Sequence, residues 1–573
     1  MKGPKVVVIG LDGATFTLLK PWMEAGILPF LKSIMDEGVH GSLESTIPPV
    51  TSPAWQCFMT GKNPGKLGIA GFFERQPEAY SAPLVGTSGY EGTTLWEILS
   101  RAGKRPAVLN VPFTAPSPTL NGVMIGGFTT PPSRKRDYFH PPGLFEEIEQ
   151  KFGDYRMDLN TPPLLFLNRS QALIDELLED CEALTTHQFE VAAFVLERGA
   201  FDLVMMYQLT TDRLQHRLWH LLDETHPWHD RATAQWCADR LVGYYRRLDT
   251  HIARLVQTVD RDPTVFVVSD HGFGPVVKGI DLNSWLLREG FIQIRAQPIS
   301  QLKLRLWQCG WGPYALLNTF LRRAVTCPVV KRWLTKAYIS KRTQHMQADF
   351  SRLANRLFLS LEDVDWLKTK AYCQIGPGLI RINLEGREPR GAVMPQDYHA
   401  VRQELVERLH ALRDPTTGRT IQAQVVAREE AYQGRYLDRM PDIVYMAYED
   451  GYMAGNPVAF ISDRVIIGGL GPSGFHRMDG ILLAKGGPLR KGQHLKPAHL
   501  MDIAPTLLYL MGCEVPKDMD GQVLKELFEE GFLMKHPITF AEAAPEGDRP
   551  AVDISADDQM AILNRLKGLG YID

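Results

Sequence analysis

Six carboxylates and imidazoles stand at places where a chain can build a metal site. Asp12 follows the apolar run VVVI after Gly10 and Leu11. Asp212 follows LVMMY across a short loop, with His216 four residues later. Asp270 and His271 come directly after TVFVVS, and His476 sits in the Gly-rich stretch GLGPSGFHRMDG ahead of ILLA. Carboxylates and imidazoles suit zinc or manganese, and such a set holds two ions that share one substrate oxygen. Asp212 and His216 lie on one face if a helical turn begins there. Neighbouring strand residues face opposite ways, so Asp270 and His271 reach one ion only where the strand has ended. Gly272 supplies such a turn. Each element also has an ordinary reading, as a turn residue, a surface pair or a solvated loop histidine. Their coincidence is what carries the metal reading.

A hydroxyl candidate lies in STIPPVTSPAWQCFMTGKNPG, an extended segment entering a helix. Pro53 suits the first helical turn, and Thr51 or Ser52 would cap it. The same geometry presents a hydroxyl where free backbone amides receive phosphate oxygens. Beside a metal ion such a hydroxyl ionises and attacks phosphorus. The local pattern leaves both readings open.

The elements that must position these groups are short apolar runs alternating with amphipathic helical stretches. The runs include Lys5–Ile9, Ala107–Leu109, Leu203–Tyr207, Thr264–Val268, Ile443–Met446 and Ile481–Ala484, and the helical stretches include 170–197 and 231–259. Continuously apolar strands between helices predict an α/β fold with a mostly parallel central sheet sandwiched by helices. In such sheets, ligands bind outside the carboxyl ends of the strands. GLGPSG at 469–474 fits a dinucleotide-binding pattern but leads into another strand, and no P-loop, GxSxG elbow or HExxH occurs. The net charge of −3 gives no general nucleic-acid signal. Seven scattered cysteines form no CxxC pair and read as thiols of a reducing compartment. The chain opens with only a short apolar run and has none of about 18 apolar residues, so the expected location is cytoplasmic.

Taken in order, Asp12, PPVTSPAW with Thr51, Asp212-x-x-x-His216, SDHG with Asp270 and His271, then His476 resemble the alkaline phosphatase superfamily. TGKNPGKLGI, MDIAPTLLYLMG and MDGQVL are similar to its type I phosphodiesterase/nucleotide pyrophosphatase branch. The resemblance covers residues 1–275 and about 360–525. It implies an alkaline-phosphatase-like scaffold and a metal-dependent phosphate ester hydrolase, acting on phosphodiesters or phosphomonoesters. One metal would be held by Asp12, Thr51, Asp270 and His271, the other by Asp212, His216 and His476, with zinc the usual ion and manganese the alternative. Thr51 would attack in line and form a phospho-threonine that water then hydrolyses. Sulfatases on this scaffold need C/S-x-P-x-R, which Ser52-Pro53-Ala54-Trp55 does not provide. Two departures stand out: Leu67 replaces a family His, and Gly68-Ile69-Ala70-Gly71-Phe72 lacks the phosphate-binding Asn of nucleotide pyrophosphatases. Asn110 is a candidate substitute in substrate binding. A phosphotransferase or mutase on the same scaffold, and a metal-bound non-catalytic binding protein, are the alternative readings. Thr51 speaks against the Ser-dependent mutases, and a complete ligand set with a nucleophile speaks against a binding protein.

The expected organisation is a catalytic core at 1–275, a basic helical cap insertion at 276–359, a second core part at 360–525 and a C-terminal tail and helix at 526–573. Residues 276–345 hold twelve Lys or Arg against Asp281 and Glu289, with Trp285, Trp307, Trp311 and Trp333 among them. The favoured reading is a cap that shields the site and attracts anionic substrates. The sharper one is a lid on anionic membrane, with Trp307, Trp311 and Trp333 in contact and a lipid-linked phosphate ester as substrate.

Overall fold

The computed structural model describes residues 5–73, 79–80, 92–114, 117–160, 169–316, 355–374, 376–455, 460–468, 471–543 and 555–567. The chain opens with β1 (Val6–Leu11), β2 (Val39–Glu44) and α1 (Thr51–Thr60). Then come β3 (Pro106–Leu109), β4 (Val123–Ile125), β5 (Phe139–His140) and α2 (Gln171–Leu196). Next are β6 (Leu203–Gln208), α3 (Thr210–Leu222), α4 (Arg231–Val259), β7 (Thr264–Val268) and β8 (Gly272–Pro275). A middle stretch holds α5 (Leu282–Arg288), α6 (Pro298–Gln308), β9 (Ala371–Cys373), β10 (Leu379–Ile382), α7 (Tyr398–His410), β11 (Gln424–Ala427) and β12 (Ile443–Met446). Toward the C-terminus follow β13 (Gly474–Arg477), β14 (Asp479–Lys485), β15 (Gln493–His494) and α8 (Ala556–Lys567).

The large sheet runs β15-β2-β14-β7-β1-β6-β3-β4-β5. β1, β6, β7, β3 and β4 are mutually parallel, while β14 and β5 run antiparallel to their neighbours. The fold is therefore α/β with a mostly, not purely, parallel sheet. β1, β6 and β7 are buried along their whole length, which is why they read as unbroken apolar runs. Val6 and Val8 enter one apolar layer, while Val7, Ile9 and Leu11 enter the opposite one. Trp55 and Phe58 of α1 belong to the first layer, and residues of α2 and α4 to the second.

A second, smaller body forms around the four-stranded antiparallel sheet β9-β10-β12-β11. Trp285 and Leu286 of α5, Trp307 of α6 and Leu405 and Leu409 of α7 share one core with Ile380, Ile382, Ile443 and Tyr445. The expected boundary at 359/360 thus runs through this core, because α5 and α6 pack on strands contributed from beyond it. Residues 317–354, Trp333 among them, lie outside the described residues. Among the described residues, no helix is long and apolar enough to cross a membrane. Cys57, Cys181, Cys237, Cys309, Cys373 and Cys513 are free thiols.

Candidate metal centre

The carboxyl ends of β1, β6 and β7 lie side by side, since Gly10 pairs with Tyr207 on one flank and Val268 on the other. Asp12 continues one residue past β1, its N–H donating to Gln208 O at 3.0 Å. Asp270 and His271 occupy the bend between β7 and β8, where strand alternation no longer separates them. Asp212 stands in the first turn of α3 and His216 one turn later. His476 is not on a loop as its glycines suggest. It lies in β13, which forms an antiparallel ribbon with β8, His476 opposite Phe273. Gly474 permits this, because a Cβ there would meet Gln215 O and Trp219 Cβ of α3, each at 2.7 Å. The close approach of ribbon to helix brings His476 to His216.

Two buried groups of three result: Asp212, His216 and His476, and Asp12, Asp270 and His271. In the first, His216 Nε2 and His476 Nε2 lie 3.2 and 3.3 Å from Asp212 Oδ1. In the second, His271 Nε2 is 3.4 Å from Asp12 Oδ1 and 3.3 Å from Asp270 Oδ2. The groups adjoin, with the rings of His271 and His476 stacked at 3.5 Å.

The hydrogen bonds behind the imidazoles fix their tautomers. His216 Nδ1 meets Gly474 O at 2.9 Å, His476 Nδ1 meets Pro49 O at 2.8 Å and His271 Nδ1 meets Gly272 O at 3.1 Å. A carbonyl only accepts, so each Nδ1 carries the proton and each Nε2 presents a lone pair. His216 Nε2 and His476 Nε2 then face each other at 3.1 Å with an Asp212 oxygen beside them. Lone pairs at that separation repel unless a cation lies between them. Among the described residues, Asp12 Oδ1 and Asp270 Oδ2 are likewise buried without a hydrogen-bond partner. The donor set therefore fits two divalent cations.

Electrostatics agree. Burial, then the charges of Asp270 and Asp212, hold the Asp12 carboxyl well above its ordinary range. Burial pushes Asp270 up to about 8. Burial also acts upward on Asp212, but His216 and His476 outweigh it and leave Asp212 well below the usual value. His476 is brought down to about 4 by burial, and His271 is lowered by burial and then by His476. His271 and His476 are thus neutral near neutrality, while the raised Asp12 and Asp270 carboxyls favour positive charge beside them.

Thr51 is the first residue of α1, and Val50 holds the cap position with no side-chain cap bond. Neither Thr51 nor Ser52 caps the helix: Ser52 Oγ instead accepts from Gln56 Nε2 at 3.3 Å. Thr51 Oγ1 lies 3.3 Å from His271 Nε2, against the Asp12–Asp270–His271 group. Asn110, with a φ of 65°, turns the chain after β3, and its Oδ1 accepts from the buried Tyr155 hydroxyl.

Several supporting residues escaped the sequence reading. Tyr207, next to last in β6, donates its hydroxyl to Asp12 Oδ2, leaving Oδ1 for the group with Asp270 and His271. Thr211 Oγ1 holds Asp12 O at 2.6 Å, and Gln215 Nε2 holds Gly13 O at 2.9 Å. Arg213 is buried behind Asp212, 3.7 Å from its Oδ2, and bonded to Asp158 at 3.0 Å. A tyrosine inside the apolar strand LVMMYQ was a usable signal, since a buried phenol needs a partner.

The model of the family described as type I phosphodiesterase / nucleotide pyrophosphatase matches residues 6–457. The chain belongs to this family. It is accordingly a metal-dependent phosphoric ester hydrolase of the phosphodiesterase/pyrophosphatase kind. The matched stretch includes Thr51 and every member of the two buried groups except His476, which lies beyond it. Human ectonucleotide pyrophosphatase / phosphodiesterase 5 aligns at 14% identity and a TM-score of 0.47, over 92% of this chain and 100% of that one. An inactive variant of the murine protein, in complex with AMP, aligns at 12% identity and 0.44, over 93% and 99%. No curated protein matches the chain.

Proposed function

We propose that the chain hydrolyses small phosphodiesters or phosphomonoesters by attack of Thr51 on phosphorus, with two zinc ions as cofactors. One ion would be held by Asp12, Thr51, Asp270 and His271, the other by Asp212, His216 and His476. Such ions would polarise the phosphoryl oxygens and favour the ionised hydroxyl. The observation that carries the reading is the placement of Thr51 at the start of α1, with its hydroxyl 3.3 Å from His271 Nε2. Thr51 opens α1, and the amides at a helix N-terminus would suit the non-bridging oxygens of a phosphoryl group. Thr51 Oγ1 forms the new bond to phosphorus as the phosphorus–oxygen bond to the leaving group breaks; the Thr51 proton passes to solvent water, and the departing alkoxide takes up a proton from water. Water then cleaves the phospho-threonine and restores the hydroxyl.

The test is Thr51→Ala, with Ser52→Ala as control. Thr51→Ala should keep its fold and most of its metal while losing turnover by about three orders of magnitude or more. Ser52→Ala should change little. Retained turnover in Thr51→Ala would overturn the covalent route and leave direct attack by water. Supplying zinc and manganese separately, with monoesters and diesters, tests the metal and the substrate class.

A further inference from the structure

α6 is inverted relative to an ordinary surface helix. Its inner face buries Ser300, Lys303 and Trp307. Lys303 Nζ donates to Asp363 Oδ2 at 3.0 Å, and Ser300 Oγ to Asp363 Oδ1 at 2.8 Å. Its outer face carries Ile299, Leu302 and Leu306, exposed by 69, 57 and 39%. Three- and four-residue steps place these side chains in one stripe. Trp311 and Leu357, exposed by 53 and 54%, extend it, the Trp311 ring lying 6.1 Å from that of Phe358. Single exposed leucines need no account, but five large apolar side chains beside one another mark an interaction surface. Trp307, which the membrane-lid alternative placed at a lipid contact, is instead in the core.

The surroundings of the stripe are cationic. Arg305 and Arg356 are exposed on it. The sequence between Leu316 and Asn355, residues 317–354, carries eight Lys or Arg against one acid. A second copy of the chain would bring the same positive charge against it. An anionic bilayer offers both an apolar interior for Leu and Trp and negative headgroups for Arg and Lys. We propose that the outer face of α6, with Trp311 and Leu357, docks on an anionic membrane surface.

The experiment is co-sedimentation of the full chain with vesicles of phosphatidylglycerol and phosphatidylcholine, against phosphatidylcholine alone. Binding is expected to the anionic vesicles and to weaken in high salt. The combined Leu302→Ser, Leu306→Ser and Trp311→Ser variant should bind at least roughly tenfold more weakly while hydrolysing a soluble phosphate ester as the parent does. Arg305→Glu with Arg356→Glu should weaken binding to the anionic vesicles alone. No sedimentation with anionic vesicles at low salt, or undiminished binding by the serine variant, would overturn the proposal. A dimer that the serine variant dissociates, with vesicles ignored, would assign the face to a second copy instead.

Discussion

Removing a metal ligand should stabilise the metal-free protein, and Asp270→Asn is the case to measure. Asp270 is buried, and burial pushes its carboxyl from an ordinary 3.8 up to about 8. Below the ordinary value, both folded and unfolded chains hold the proton and the group costs nothing. Between the two values the unfolded chain has released a proton that the folded chain retains, so stability falls as pH rises. Above about 8 the penalty is complete. At about 1.4 kcal/mol per pH unit, going from pH 5 to 7 removes roughly 3 kcal/mol from the metal-free fold. Asp12, raised by burial and then by Asp270 and Asp212, acts in the same direction. Asp212, held low by its histidines, gives up its stabilisation only in acid below this window. Asparagine keeps the shape, and its oxygen can still accept the Gly13 N–H that Asp270 Oδ1 accepts at 3.2 Å. Thermal melts in chelator should therefore show Asp270→Asn outlasting the parent by several degrees at pH 8. The gap should close toward pH 4. With saturating zinc the order should reverse, because the variant has lost a charged ligand. A metal-free variant melting at or below the parent at pH 8 would refute the reasoning, since its carboxylate would then carry no burden of charge.

Tyr207→Phe removes the hydroxyl that orients Asp12 and should weaken metal binding about 10- to 100-fold in a chelator competition, with little change in the metal-free melt. His476→Ala should lower bound zinc from about two equivalents to about one by elemental analysis, with most activity lost. Arg213→Ala leaves the largely covered Asp158 carboxylate without its guanidinium and should cost about 3 kcal/mol in denaturant melts, much of it recovered in the double variant with Asp158→Ala.

The parts of the site legible in sequence are those tied to regular geometry. Asp12 and Asp270 follow strands that are apolar on both faces, and Asp212 and His216 are one helical turn apart. Chain direction alone carries them to a common edge. Packing decided the rest. The glycines around His476 read as a loop, yet they permit the ribbon to press on α3. Thr51 reads as a cap because its type and position suit one, but the cap position falls to Val50. The amphipathic pattern of LKLRLW gives a helix but not its orientation: Asp363, distant in sequence, draws Lys303 inward and turns the leucines out.

The departure of the sheet from parallel pairing has a direct consequence for the site. A parallel strand delivers to the carboxyl edge only the residues C-terminal to it, as β1 and β7 deliver Asp12 and Asp270. An antiparallel strand delivers to that edge the residues N-terminal to it. β14 pairs with β7 in that sense, Leu482 opposite Val268 and Lys485 opposite Val265. Its first residues therefore start at the end of β7 where Asp270 and His271 stand, and His476 lies three positions before Asp479. Ser269 pins this entry, its Oγ accepting from Ile481 N at 2.8 Å. The reversed strand thus lets a histidine distant in sequence complete a group whose other members, Asp212 and His216, come from a helix. In a purely parallel sheet, a strand in the place of β14 would begin at the opposite edge, and a residue preceding it would be on the wrong side of the molecule to meet them.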